Sequence, residues 1–420
     1  MRVHEGRRRF AVLVVTLSSL ALIAAACTSS NPAPPSGAPG SQPDSSAVLG
    51  KPNKATGSPI KIGFVDDGKT PGIDHTPLIA AFNATVQYAN EYLGGINGHV
   101  IEVDECATLN TPSGATQCAV RLTQDGVAAV LVTASAQDAN VFNALAGTGI
   151  TYFTFAAANQ DVIVKPGALV LTNPTASVAA PAKIAKEAGY AKAGMIVIDV
   201  PAATGPLNTL ARPIFEKAGV GLEMVAISPQ TADMTPQIQA AIGTGAQLFS
   251  VIGTDDFNAT AIKALKQLDF QGKIVMVTQP NESMAENIPG GLEGVLYLTA
   301  VTGDQSDPDV QLYNAVMQTY APDAVSSSLS PWAFVNVMAF VRALTGDASA
   351  VDAASVAKAL GSMPKQIPLP MGGGITYQCG ANLVPILANV CSVNFLETTL
   401  DAQGKGDSYE LVDVSSYIGG

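Results

Sequence analysis

The chain has 420 residues, with 22 Lys plus Arg against 34 Asp plus Glu and a formal net charge of −12, and 47% of it is hydrophobic. So acidic a chain offers no basic face to nucleic acid. Its length exceeds what one hydrophobic core usually serves, which predicts two lobes.

Residues 1–26 read as an export signal rather than as part of the fold. Arg2, Arg7, Arg8 and Arg9 give a positive start, and Phe10 to Ala26 is an apolar run broken only by Thr16, Ser18 and Ser19. That run falls short of the about 20 apolar residues a spanning helix needs. Ile23-Ala24-Ala25-Ala26 then sets small residues directly ahead of Cys27. This resembles the lipobox of bacterial lipoproteins and implies cleavage before Cys27, with a lipid holding the protein on the outer face of the cytoplasmic membrane. An ordinary Ala-x-Ala cut beside an incidental cysteine is the rival reading. Residues 27–58, rich in Pro, Gly and Ser, cannot bury enough surface to offset their backbone entropy and are expected to form a flexible tether.

From residue 59 onward one unit repeats: a short β-branched run, a turn, and an amphipathic stretch. Ile60 to Val65 reads as a strand; Ile79, Phe82, Val86, Ala89 and Leu93 share one side of a helix that Gly94-Gly95 stops; Val100 to Val103 is the next strand. Helices around residues 115–125 and 140–146 then alternate with strands at 127–133 and 150–155. A second series has helices near 179–188, 207–218, 236–242 and 259–268, with strands at 195–200, 222–227, 248–252 and 274–278. Pro213 should kink its helix. Later, residues 308–320, 332–344 and 354–360 read as helices, 368–374 as a loop, and 390–396 and 409–414 as strands. Apolar runs separated by helices signal parallel sheets covered on both faces, and two series imply two Rossmann-like α/β sheets.

Apart from Cys27, the cysteines fall as Cys106 with Cys118 and Cys379 with Cys391. In an oxidising compartment local pairing is the expected connectivity, and each closed loop would stabilise the fold by about 3 kcal/mol. The rival use of four cysteines is a metal site, but Cys-x-x-Cys is missing and His75 and His99 lack ligand spacing, so neither metal nor cofactor is expected. A nucleophile elbow, a His-Glu-x-x-His helix and a P-loop lysine are likewise missing, which argues against an enzyme.

Ile60-Lys61-Ile62-Gly63-Phe64-Val65, the helix ending in Asn90-Glu91, the Gly94-Gly95-Ile96-Asn97-Gly98 turn and Gly126-Val127-Ala128-Ala129-Val130-Leu131 together resemble the Leu/Ile/Val-binding family of ABC-transporter substrate-binding proteins, of periplasmic-binding fold type I. The resemblance implies two lobes joined by three hinge crossings, residues 59–176 with 302–378 and residues 177–301 with 379–420. It also implies a monomer that encloses a small polar solute, such as an amino acid or amide, and delivers it to a membrane permease. Carried over by position, the contact residues would be Asp66, Asp67, Ser135, Ala136, Ala157, Ala158 and Asn159 from the first lobe. Asp199, Thr204, Asp255, Phe257, Asn281 and Glu282 would come from the second. Helix capping is the plainer role for Ser135 and Asn159, and solvent exposure for the acids. The family's carboxylate-binding threonine falls near Ala158, and its aromatic after Asp199 is missing, which favours a neutral or cationic solute over leucine. A sensor module of the same fold, or a surface protein that no longer binds ligand, stay open as alternatives.

Overall fold

The computed structural model describes residues 45–71, 73–157, 159–324 and 327–418. The export signal, Cys27 and most of the tether lie outside the described residues, as do Ala158 and the side chain of Glu282.

Two sheets organise the described chain. The first has five parallel strands in the order His99–Ala107, Gly57–Asp66, Ala129–Val132, Thr151–Thr154 and Ala168–Val170. The second has seven, in the order Glu410–Val412, Phe395–Thr399, Leu296–Thr299, Lys273–Met276, Leu248–Ile252, Lys192–Ile198 and Gly221–Ile227. Its last five are parallel; Phe395–Thr399 pairs antiparallel with both of its neighbours. Ala129–Val132 and Thr151–Thr154 are buried at every position, the condition of a strand covered by helices on both faces. The α/β class with two parallel sheets is thus borne out.

On one face of the first sheet, helix Thr76–Tyr88 buries Leu78, Ala81, Phe82 and Val86, and Phe82 stacks on Phe64 with ring centroids 3.7 Å apart. Helices Pro308–Tyr320 and Ser330–Leu344 complete this layer, joined by the paired bonds of Arg342 to the Asp309 carboxylate. The Gly-Gly-Ile-Asn-Gly turn has a structural task. Gly95 sits at φ 63° where a Cβ would meet the His99 carbonyl at 1.9 Å. Asn97 donates to the Leu344 and Asp347 carbonyls and accepts from Gly346 N, which docks the turn on the end of helix Ser330–Leu344. The opposite face shares a continuous apolar cluster with helix Ala176–Glu187 and the second sheet. A third cluster fills the far side of the second sheet around Phe249, Phe257 and Leu265.

Both expected disulfides are present, Cys106–Cys118 and Cys379–Cys391. Three expectations are corrected. Order begins before residue 59: helix Ser45–Leu49 buries Leu49, Ala55 is 4% exposed, and Asn53 N and Ala55 N bond to the carbonyls of Glu91 and Asn90. Those contacts supply the burial that composition alone denied this stretch. Strands Ala168–Val170 and Leu296–Thr299 were not expected. The run at 390–396 divides: Val390 makes a single parallel bridge to Val170 of the first sheet, and the strand proper is Phe395–Thr399 in the second.

Candidate functional site

Between the sheets lies a cavity of about 600 Å³, within the range of small-ligand sites. The first sheet contributes the loops after two of its strands, Thr133 to Ala136 and Phe155 to Ala157, with Trp332 stacked on Phe155 at 5.0 Å. The second contributes Ile252, Val277 and Tyr297 to Ala300, at or just past the ends of its strands, and Ala203, Leu207 and Leu210 from one face of helix Pro201–Ala218. Thr172, Thr175, Ser177, Val178, Leu387 and Phe395 line it from the segments that cross between the sheets. Ligands in open α/β sheets bind outside the carboxyl ends of the strands, and here two such ends face one space.

The lining is chiefly aliphatic and aromatic, with Asp138 and Gln160 as its acid and amide, and among the described residues it includes no Lys, Arg or His. Its serine and threonine hydroxyls are engaged with the protein. Thr172 donates to the Phe155 carbonyl, Thr175 to Asn173 Oδ1, Ser177 to the Pro174 carbonyl and Thr299 to the Val301 carbonyl. Thr133 Oγ1 accepts from Asn336 Nδ2. Ser135 donates to Asp67 Oδ1 at 2.7 Å.

Of the residues expected at the site, Ser135, Ala136 and Ala157 line the cavity. Asp66 and Asp67 are 0% and 1% exposed and lie behind its wall. Burial, reinforced by the nearby Glu105 and Asp67 charges, pushes the Asp66 carboxyl up to about 6 although Gly68 N bonds to it. Burial also holds the His75 imidazole below its ordinary value, and its Nδ1 accepts from Asp67 N. Asn159 caps helix Gln160–Val164 through Asp161 N. In the second sheet's loops the expected residues lie away from the cavity lining. Asp199 and Asp255 are exposed, and Asp255 accepts from Asn281, which caps the short helix Glu282–Glu286. Phe257 is 2% exposed within the core. Thr204 bonds back to the Val200 carbonyl; Ala203 and Leu207, four apart on the helix, hold the inward face instead.

Trp332, Leu207 and Leu210, and Tyr297 to Ala300, with Asp138, Gln160 and Phe155, are among the lining residues that sequence reading missed. The run Val295 to Val301, bounded by Gly294 and Gly303, carried the signal of a short buried strand for Tyr297 to Ala300.

Solved structures share this architecture. A leucine-, isoleucine-, valine-, threonine- and alanine-binding protein from Brucella ovis in a closed conformation matches with a TM-score of 0.70 at 13% identity, over 86% of this chain and 97% of its own. An extracellular ligand-binding receptor from Verminephrobacter eiseniae matches with a TM-score of 0.68 at 17% identity, over 84% and 100%. A solute-binding protein of an ABC transporter from Rhodopseudomonas palustris, in complex with p-hydroxybenzoic acid, matches with a TM-score of 0.65 at 15% identity, over 85% and 98%. A search of the curated proteins finds no match. The family model described as periplasmic binding protein matches residues 59–384, and with two sheets facing one cavity behind that match, the chain belongs to this family.

Proposed function

We propose that the protein captures a small organic solute outside the cytoplasmic membrane and delivers it to the permease of an ABC importer, and that it does no chemistry on that solute. One observation carries the reading: the cavity is walled by the strand ends of both sheets, so a solute in it touches both. Lobes divided near residues 176, 301 and 378 would close over it, the first including residues 45–58, and the chain would act as a monomer held by a lipid on Cys27. The lining shifts the expected solute toward an apolar or aromatic body with few polar groups, because Asp66, Asp67, Asp199 and Asp255 lie outside it and Asp138 is its one acid among the described residues. The Rhodopseudomonas protein with its aromatic ligand and the Brucella protein named for mostly aliphatic amino acids match such a cavity in the ligand's body only, since each of those ligands also carries a carboxylate.

The test is native mass spectrometry of protein purified without denaturation, followed by thermal-shift screening against aromatic and aliphatic amides, alcohols, amines and acids. Copurification of a solute, or a rise in Tm with at least one class, is expected. A cavity that stays silent toward every class at about 100 times an ordinary micromolar Kd defeats the proposal.

A further inference from the structure

We infer that Asp67 is a specificity-determining residue that bars carboxylates from the cavity, an inference resting on the reading of that cavity as a solute site. The Asp67 carboxylate accepts three bonds of 2.7 Å, from Thr108 Oγ1, Ser135 Oγ and Ala136 N. The direction of the two hydroxyl bonds is fixed. A carboxylate only accepts, so each hydroxyl proton is turned toward Asp67, while Thr108 Oγ1 accepts from Asn110 N and Ser135 Oγ from Gln137 N.

Ser135 and Ala136 are part of the cavity wall. Their donors, the obvious ones on this wall for a solute anion, are spent on an internal anion one residue behind it. The remaining serine and threonine protons placed in the lining also point into protein, and the lining brings no cationic side chain. A solute carboxylate at this wall would lose its water, find neither these donors nor a cationic side chain in return and sit near like charges, Asp67 behind the wall and Asp138 in the lining. A neutral amide, an alcohol or an ammonium group brings donors and no negative charge, and Ser135 Oγ, with one bond donated and one accepted, keeps a second lone pair.

The experiment uses matched sets that share one body: 3-phenylpropionamide, 3-phenylpropylamine and 3-phenylpropionate, with hexanamide and hexanoate as the aliphatic pair. Binding to the whole protein is read by tryptophan fluorescence and thermal shift. In wild-type protein the amide or amine should bind at least about tenfold more tightly than the acid. Asp67→Asn keeps the shape, removes the charge and leaves one wall donor without its acceptor, so it should narrow that ratio by at least about tenfold. An acid that binds wild-type protein as tightly as its amide overturns the inference while leaving solute capture intact. So does an Asp67→Asn protein, folded by its own Tm, whose ratio is unchanged. Should the variant not fold, the wild-type ratio decides alone. Silence from every compound overturns both the inference and the capture reading beneath it.

Discussion

Replacing Asp66 by Asn should turn a stability that falls with rising pH into one that does not. Asp66 is 0% exposed, and one carboxylate oxygen bonds to Gly68 N while the other has no partner within the protein. Folding therefore raises its pKa from 3.8 to about 6. Between those values the folded chain holds a proton that the unfolded chain has released. The contribution to stability is thus complete below 3.8 and lost as the pH climbs through about 6. Each pH unit in that window corresponds to about 1.4 kcal/mol, which sets a ceiling of about 3 kcal/mol. An Asn amide cannot ionise, and whatever it costs in a site lacking a second partner does not vary with pH. Urea unfolding of both proteins between about pH 4 and pH 7 should show the variant gaining about 2 to 3 kcal/mol on the wild type across the range. Titration of His75, whose lowered value has the opposite sign, cancels in the difference. A variant-minus-wild-type difference that moves by less than about 1 kcal/mol would refute the reasoning.

Three further outcomes can be checked. Removing either disulfide by paired Cys→Ser substitution should cost about 3 kcal/mol in urea unfolding. Under mild reductant Cys106–Cys118 should open first, because Cys106 is half-buried whereas Cys379 and Cys391 are both 0% exposed; alkylation and peptide mapping read the order, and the reverse order contradicts it. Trp332 is the chain's one tryptophan and lines the cavity, so solute binding should shift its emission, and Trp332→Ala should weaken binding by at least about tenfold without unfolding the protein. Emission that does not respond to a solute already shown to bind would place that solute elsewhere.

Much of the architecture was legible because strands buried on both faces write themselves as continuous apolar runs, and helices between them as three-and-four spacings. Strand Leu248–Ile252 and helix Pro308–Tyr320 fall where those patterns put them. The cysteine pairing followed from spacing and compartment, and both bridges are there. Strand Ala168–Val170 escaped because three residues carry too little pattern, and the segment around Ala55 because its burial comes from partners far along the chain. The site was half legible. Position after a strand identifies the loop but not which side chain turns inward. Asp67 therefore lies behind the wall and Phe257 in the core, while Trp332 reaches the cavity from a helix.

The strip from Asn389 to Thr399 belongs to both sheets. Its beginning is fastened to the edge of the first by the Asn389 carbonyl on Val170 N, Cys391 N on the Val170 carbonyl and Ser392 Oγ on the Leu171 carbonyl. Its end is laced to strand Leu296–Thr299 of the second, and Cys379 clamps it just ahead of the passage. Leu387, just before this strip, and Phe395 within it both face the cavity. Anything wedged against them would press on the ribbon that the proposed closure of the two lobes would twist. Occupancy can thereby be felt as a change of posture without any signal having to pass through either interior.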